Sequence, residues 1–421
     1  MSNFVVTPRY RRYVLWMLTG VYAFNFIDRQ ILVILQEPIK ADLDLSDTQL
    51  GLLTGFAFAI FYVTLGIPIA RLADKANRKN IVSVALAVWS GMTAVSGLAQ
   101  NFFQLLLARI GVGVGEAGGS PPAHAMISDY FPPEKRATAL ATYSTGIYIG
   151  VFLGFLVGGI IGEMYGWRTA FFALGVPGIL YAVLLYFTVR EPVRGAQEQT
   201  SKQEELGFIE VVKILLSKRA FLFVAFATGI HTFANYGMSN WFPSFLIRSH
   251  EMGLKEVGIW MGLSAGIGGG LGTFFGGYMA DRLAVKDVRW YGWLAVIADA
   301  FNFFLLAALF FVENTNIVIF TTFLYNFGSA IYLGPAIAMS HNLVSAKMRA
   351  MTSAVLFFIL NIIGLGFGPL IIGGLSDYLT PTYGTEALRY AMTITLITTL
   401  ISMFLFHKAA EHYKRERIIE N

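Results

Sequence analysis

Cysteine is absent from this 421-residue chain, and charged residues are scarce. Without a thiol, the chain forms no disulfide and offers no thiolate ligand to a metal. Only 14% of its residues are charged and 56% are hydrophobic, whereas about a quarter of the residues in a soluble domain are charged. This composition excludes an ordinary soluble protein and indicates a chain whose main solvent is lipid.

Sequence signatures of nucleotide binding and metal catalysis are also missing. The chain has no G-x-x-x-x-G-K-[ST] loop and no H-E-x-x-H pair. Its basic residues form short clusters between apolar runs instead of one patch, which argues against a nucleic-acid partner despite a net charge of +5. We therefore expect no enzyme activity, no cofactor, no bound metal and no nucleic acid, and any energy source to be an ion or solute gradient.

Long apolar runs fill most of the chain. A transmembrane helix needs about 20 predominantly apolar residues. Because lipid offers the backbone no hydrogen-bond partner, continuous runs of this length predict helices. We place twelve spans at residues 13–36, 47–70, 80–99, 102–127, 137–162, 167–188, 220–246, 255–279, 290–312, 316–341, 350–375 and 387–407.

Lysine and arginine are distributed unevenly between alternate loops. If both termini face the cytoplasm, 24 of the 31 basic residues lie on the cytoplasmic side and five on the opposite side, while Arg29 and Arg109 lie inside spans. Positive charge concentrates in cytoplasmic loops. The pattern predicts an integral inner (plasma) membrane protein with both termini in the cytoplasm.

One long polar stretch divides the chain near its midpoint. It predicts an N-terminal six-helix bundle over residues 1–189, a cytoplasmic linker over 190–219 and a C-terminal six-helix bundle over 220–421. The two bundles share short matches, such as Pro-Ala-His-Ala-Met at 122–126 and Pro-Ala-Ile-Ala-Met at 335–339. Because internal duplication is typical of secondary transporters, we expect two pseudo-symmetric bundles in an all-α membrane protein, acting as a monomer.

Three segments resemble signatures of a known transporter family. The sequence Ala-Arg-Leu-Ala-Asp-Lys-Ala-Asn-Arg-Lys at 70–79 is similar to the segment between helices 2 and 3 of the major facilitator superfamily. With it, Phe-Ile-Asp-Arg at 26–29 and Leu-Ala-Arg-Ile-Gly-Val-Gly-Val-Gly-Glu-Ala at 107–117 resemble the spinster branch, whose members export lysophospholipids and sphingosine-1-phosphate. The resemblance implies the major facilitator fold and a lipid substrate.

Four ionisable residues lie at predicted membrane depth in the first half: Asp28, Arg29, Arg109 and Glu116. Such groups are costly in lipid and usually mark a pathway. Arg109 and Glu116 are about two helical turns apart and so share a helix face. We expect a network in which a carboxylate takes a proton and an arginine binds the substrate anion, or else ion pairs that only lock two helices. The spinster resemblance implies Asp28, in preference to Glu116, as the proton acceptor.

Fewer ionisable groups lie at depth in the second half. A polar stripe follows the predicted seventh helix, and its alternatives are head-group contacts or ordinary interhelical hydrogen bonds. Asp299, on the predicted ninth helix, is interpreted as structural. The residues that we predict to contact substrate there are His231, Asn235, Tyr236 and Tyr332.

A cytoplasmic gate is predicted at the loop that follows the second helix. Asp74 lies where a carboxylate can approach the positive N-terminus of another helix, such as the eleventh. Arg78 and Arg136 are placed to pair with Asp74, and Asp281 is its counterpart in the second half. The alternative is a plain positively charged loop.

These observations predict a secondary active transporter that moves an amphiphilic anionic lipid by alternating access, coupled to protons. The lipid resembles a lysophospholipid or sphingosine-1-phosphate, and the other partners are protons and membrane lipids. The alternative is a proton-coupled symporter of small organic anions, such as sugar acids or carboxylates, which would use the same arginines without needing an apolar wall.

Overall fold

The computed structural model describes residues 7–73, 75–194 and 208–417, and within these ranges the chain is helical and contains no strand. The helices of the first half and the following segment are α1 (Pro8–Ile34), α2 (Gln36–Leu43), α3 (Asp47–Gly51), α4 (Ala57–Ala73), α5 (Arg78–Ser96), α6 (Phe102–Glu116), α7 (Ser120–Tyr130), α8 (Pro133–Tyr165), α9 (Trp167–Thr188) and α10 (Phe208–Ser217). The helices of the second half are α11 (Arg219–His250), α12 (Leu254–Met261), α13 (Gly269–Ala284), α14 (Trp290–Phe311), α15 (Thr315–Ser329), α16 (Leu333–His341), α17 (Arg349–Leu360), α18 (Phe367–Tyr383), α19 (Ala387–Met392) and α20 (Ile394–Glu416).

Each of the twelve predicted spans coincides with one or two of these helices, so the all-α class is confirmed. Within the described residues, seven helical stretches are long and apolar enough to cross a membrane, and α1 with α2, bent by 54°, would be an eighth. The longest stretch, Arg349–Glu416, contains two predicted spans. The seven are Asp47–Ala73, Pro133–Tyr165, Trp167–Thr188, Leu254–Ala284, Trp290–Phe311, Thr315–His341 and Arg349–Glu416.

Three of the spans contain a π-helical turn that the sequence pattern does not predict. These turns are Leu52–Phe56 between α3 and α4, Gly262–Gly268 between α12 and α13, and Asn361–Gly366 between α17 and α18. A π-helical turn inserts one extra residue into the hydrogen-bond ladder and often marks a functional position. Each of these turns contains at least one glycine, whose missing side chain allows close approach of another backbone.

The described residues form two compact units. Unit 1 comprises Met1–Asp44, Ile60–Lys202 and Gly253–Gly262, and unit 2 comprises Leu45–Ala59, Gln203–Met252 and Leu263–Asn421. The predicted second and eighth spans are therefore each divided between the units. Residues 195–207 of the predicted linker lie outside the described residues, and α10 follows them.

In unit 1, α1 packs closely against a glycine ridge on α8. An added Cβ at Gly146 would lie 2.5 Å from the Thr19 carbonyl oxygen, and one at Gly150 would lie 2.3 Å from the Ala23 carbonyl oxygen. Small residues at four-residue spacing allow helices to approach this closely. The contact fixes α1, the helix that carries Asp28.

In unit 2, α11 packs into a core of large apolar side chains. Phe221 and Val224 of α11 lie in one cluster with Leu356 and Phe406. Val211 and Leu215 of α10 join the same cluster, so the amphipathic helix before α11 is packed onto unit 2.

Candidate functional site

The structure brings together the four membrane-depth residues of unit 1. Asp28 and Arg29 lie on α1, and Arg109 and Glu116 lie on α6. The Arg29 Nε donates a hydrogen bond of 2.8 Å to Glu116 Oε2, and the Arg29 Nη2 lies 2.8 Å from the same oxygen. The Glu116 side chain is fully buried and that of Arg29 is 12% exposed. One carboxylate of the predicted network is thus held in a direct ion pair.

Asp28 has a different environment from Glu116. Its side chain is fully buried and, among the described residues, makes no ion pair. The Ser90 hydroxyl lies 3.4 Å from Asp28 Oδ2, and Arg109 Nη1 donates to the Asp28 backbone carbonyl at 3.2 Å. A buried charge without a close partner is costly, so the charge of an ionised Asp28 would be less well compensated than that of Glu116.

Aromatic rings flank the Arg29 guanidinium. Its central carbon lies 5.0 Å from the Phe26 ring centroid and 4.8 Å from the Tyr62 ring centroid. Phe26 is one helical turn before Arg29 on α1, whereas Tyr62 comes from α4. A guanidinium that stacks on rings presents its edge to an anion. The sequence reasoning missed Tyr62 because nothing in its local pattern distinguishes it from other aromatic residues.

A histidine–aspartate pair is buried in unit 2. His231 Nδ1 of α11 lies 2.6 Å from Asp299 Oδ1 of α14, and His231 Nε2 lies 3.0 Å from the Ser329 carbonyl oxygen. The Tyr332 ring packs on the imidazole with centroids 3.9 Å apart. Spacing along the chain gave no sign of this pair, because its two members are 68 residues apart.

The other predicted contact residues of unit 2 lie near that pair or along its helix. The Tyr332 hydroxyl is 3.1 Å from Thr232 Oγ1, and Asn240 Nδ2 donates to the Tyr236 carbonyl at 2.8 Å. Asn235 and Tyr236 are partly buried. These contacts include the interhelical hydrogen bonds considered as the alternative, and the substrate-contact roles stay predictions.

The predicted gate residues have separate surroundings. Asp74 lies outside the described residues. Arg78 is buried and bridges two acids of unit 1, with Nη1 at 2.6 Å from Asp129 Oδ2 and Nε at 2.8 Å from Glu191 Oε1. Arg136 donates to the Ser128 carbonyl at 2.9 Å, while Asp281 is exposed and 3.5 Å from the Tyr291 hydroxyl. The gate itself remains a prediction.

A clamp in unit 2 joins α3 to α11 and α18. The buried Asp47 carboxylate accepts hydrogen bonds from both terminal nitrogens of Arg248, at 2.7 and 2.8 Å, and from the Ser376 hydroxyl at 2.6 Å. Asp377 in turn accepts from the backbone nitrogens of Asp47 and Thr48, the first residues of α3. A carboxylate at a helix N-terminus and a bidentate arginine pair are both favourable. We refer to Asp47, Arg248, Ser376 and Asp377 as the α3 clamp.

Residues 262–266, Gly-Leu-Ser-Ala-Gly, match the G-x-S-x-G pattern of hydrolase nucleophile elbows. In the structure they lie inside a π-helical turn of unbroken helix and not at a strand-to-helix turn. The Ser264 hydroxyl accepts a hydrogen bond from Asn326 Nδ2 at 2.8 Å. The geometry is that of helix packing and supplies no hydrolytic site.

Comparison with known sequences decides the family. The sequence model of the Major Facilitator Superfamily matches residues 18–369. The chain belongs to the Major Facilitator Superfamily. Its fold is accordingly the major facilitator fold, as the resemblance of residues 70–79 predicted, and the chain is a membrane transporter.

Solved structures extend this superfamily assignment to the spinster resemblance. A crystal structure of a bacterial homologue of the human lysosomal transporter Spinster, inward-facing and unoccupied, superimposes with a TM-score of 0.92 at 31% identity and covers 99% of this chain and 100% of that one. The occupied form of such a homologue gives a TM-score of 0.88 at 30% identity over the same coverage. The predicted resemblance to the spinster branch is confirmed.

Curated superfamily relatives carry several substrate classes. An MFS-type efflux pump of Mycolicibacterium smegmatis is 36% identical over 96% of this chain and 95% of that protein. A hexuronate transporter of Bacillus subtilis is 28% identical, but the match covers only 65% of this chain and 64% of that protein. The relatives similar to this chain thus include an efflux pump and a sugar-acid transporter.

Proposed function

We propose that this transporter moves an amphiphilic anionic lipid across the inner membrane by alternating access, coupled to protons that bind at Asp28. The proposal rests on a difference between the two buried acids of unit 1 in their ion-pair partners. Glu116 pairs with Arg29 at 2.8 Å, whereas Asp28 is fully buried and forms no ion pair with any residue that the structure describes. The similarity to bacterial spinster homologues supports membership of the spinster branch, and the lipid class is what the sequence resemblance to that branch implies.

The proposed anion site is Arg29, and Arg109, which donates to the Asp28 carbonyl, is the second cation of the network. The rings of Phe26 and Tyr62 lie next to the Arg29 guanidinium, so apolar surface borders the cation. A phosphate head group would meet the charge, while the start of an acyl chain would meet the rings. Proton uptake at Asp28 would change the net charge of the network by one unit, which links the substrate anion to the proton.

Proteoliposomes provide the test. We expect labelled lysophospholipid or sphingosine-1-phosphate to be moved faster when a pH gradient is imposed, and Asp28→Asn to lose that response because an amide cannot bind the proton. The matched control is Asp44→Asn, an exposed aspartate whose φ of 49° is well tolerated by asparagine. Full gradient-driven transport by Asp28→Asn would falsify the assignment of the proton to Asp28.

A second candidate function is symport of a small organic anion. It is favoured by the similarity to hexuronate and galactarate/D-glucarate transporters of Bacillus subtilis, each 28% identical. The same arginines would bind the carboxylate, but affinity would not depend on an acyl chain. In the proteoliposome assay, transport of galacturonate with no effect of lysophospholipid chain length would select this function.

A further inference from the structure

We propose that His231 and Asp299 form a second proton-binding site of this transporter, located in unit 2 and separate from the Asp28 network. The inference goes beyond the proposed function, and only its link to transport rests on that function. It reassigns Asp299 from a structural role and His231 from a head-group contact. The site holds one proton between two side chains.

The hydrogen-bond geometry specifies where that proton lies. The Ser329 carbonyl oxygen can only accept, so His231 Nε2 must carry a hydrogen at its distance of 3.0 Å. A neutral imidazole with hydrogen on Nε2 has a bare lone pair on Nδ1. That lone pair and an ionised Asp299 Oδ1 would face each other at 2.6 Å, which is repulsive unless a proton lies between them. The observed contact is therefore the proton-loaded form of the pair.

Because His231 and Asp299 are both buried, loss of the shared proton would leave a charge in a region without solvent. His231 is 4% exposed and Asp299 is 1% exposed. Loaded, the pair is neutral overall, either as imidazolium with carboxylate or as imidazole with carboxylic acid, and the two descriptions share one titration. Unloaded, it leaves a buried carboxylate facing a lone pair, which is costly at membrane depth. Loss of the proton must then be accompanied by separation of Nδ1 from Oδ1.

Within the described residues, no further charged group is paired with His231 or Asp299. From α15, the buried Tyr325 is close enough to interact electrostatically with Asp299, and from the α15–α16 connection Tyr332 packs on the imidazole. From α20, the centroid of the Phe406 ring lies 6.4 Å from that of the His231 imidazole. In the described part of the chain, neither His231 nor Asp299 has a lysine or arginine within ion-pair distance.

The pair contacts the three-residue break between α15 and α16, so a change in its protonation would affect that break. His231 Nε2 is bonded to the last residue of α15, Ser329, and its ring supports Tyr332, the residue before α16. The Tyr332 hydroxyl also contacts Thr232 Oγ1 at 3.1 Å. If His231 moves when the proton leaves, this three-residue break moves with it. Protonation in unit 2 thereby reaches a residue predicted to contact the substrate.

A substrate-free proton count tests the site. Purified full-length protein in detergent, weakly buffered, is titrated from alkaline to mildly acidic pH, and bound protons are counted per chain. We expect Asp299→Asn to bind about one proton fewer than the native chain, because a neutral Nε2–H imidazole is satisfied by an amide and stays neutral. The Asp44→Asn control should bind the native number in that range. Asp28→Asn combined with Asp299→Asn should lose about two protons, because the sites are in different units.

The outcomes separate this proposal from the preceding one. A native proton count for Asp299→Asn, with a lower unfolding temperature, would make the pair a structural link only and overturn the proposal, whatever Asp28→Asn does. Loss of a proton at Asp299 with none at Asp28 would keep it and defeat the Asp28 assignment.

If Asp299→Asn does not fold, ¹⁵N-histidine NMR of the native chain gives the same answer. One of the six imidazoles should keep its Nε2 hydrogen throughout the titration, while its Nδ1 signal changes in a single step as the proton shared with Asp299 leaves. The absence of such a signal would also overturn the proposal.

Discussion

At the scale of single residues, the buried ion pair between Arg29 and Glu116 is the contact whose loss can be measured most directly. Removing one partner from a buried pair leaves an uncompensated charge and costs about 3–5 kcal/mol. We therefore expect Glu116→Gln and Arg29→Gln each to lower the free energy of unfolding by about that amount. The double variant should cost less than the sum of the two, because it leaves no charge behind.

The check is a double-variant cycle of unfolding measurements in detergent. Glu411→Gln is the control, since Glu411 pairs with Lys408 at 2.9 Å while 43% of its side chain is exposed. Exposed pairs contribute little, so this variant should unfold as the native chain does. Additive losses at Arg29 and Glu116 would show that the pair is not a coupled unit.

At the scale of helices, the α1–α8 contact depends on glycines that have no room for a methyl group. An alanine at Gly150 would place its Cβ 2.3 Å from the Ala23 backbone oxygen, which cannot be moved without shifting α1. We expect Gly150→Ala to lower the free energy of unfolding by about 1–3 kcal/mol, even though alanine is the better helix former.

Gly277→Ala is the matched control for this ridge. Gly277 also lies inside a helix, α13, but no atom lies within 4 Å of its added Cβ. There the helix propensity of alanine acts alone, and stability should rise by up to about 1 kcal/mol. Equal effects of the two substitutions in a thermal unfolding assay would contradict the packing argument.

The helix scale also shows what the sequence could predict and what it could not. Hydropathy locates apolar runs, so all twelve predicted spans coincide with helices, and the spacing of Gly146 and Gly150 indicates their packing role. The π-helical turns, such as Leu52–Phe56, escape such reasoning because one inserted residue changes hydrogen bonding without changing average hydropathy.

The same distinction applies to the site residues: contacts within one helix could be predicted from the sequence, and contacts between helices could not. Arg109 and Glu116 could be placed on one face because both lie on one helix, whereas the partners from other helices, Tyr62 for Arg29 and Asp299 for His231, depend on packing between distant segments.

At the scale of the whole molecule, alternating access requires the two halves of the sequence to change their contacts. The α3 clamp of unit 2 holds Asp47, from the first half of the sequence, on Arg248 and Ser376, from the second half. We expect Arg248→Gln to release this hold, because a buried Asp47 carboxylate that loses its bidentate partner is strongly destabilised where it lies. The segment from Leu45 to Ala59 should then separate more often from α11 and α18.

Because the chain has no native cysteine, a single introduced thiol reports this release without background. Ser376 is 1% exposed and its hydroxyl bonds to Asp47, so Ser376→Cys should react slowly with a maleimide while the clamp is closed. Adding Arg248→Gln should raise the labelling rate about tenfold, equivalent to ~1.4 kcal/mol in the opening equilibrium.

The control for this labelling assay is Arg289→Gln in the same Ser376→Cys background. Arg289 pairs with Asp287 in the partly exposed connection before α14, away from the α3 clamp residues in sequence, so its loss should leave the rate unchanged. An unchanged rate for Arg248→Gln as well would mean that apolar helix packing, such as the approach of Gly51 to the Pro369 backbone, holds α3 in place without the ion pair. A faster rate in Arg248→Gln alone would identify the clamp as a contact that opening must break, and transport would then be limited in part by the bidentate pair.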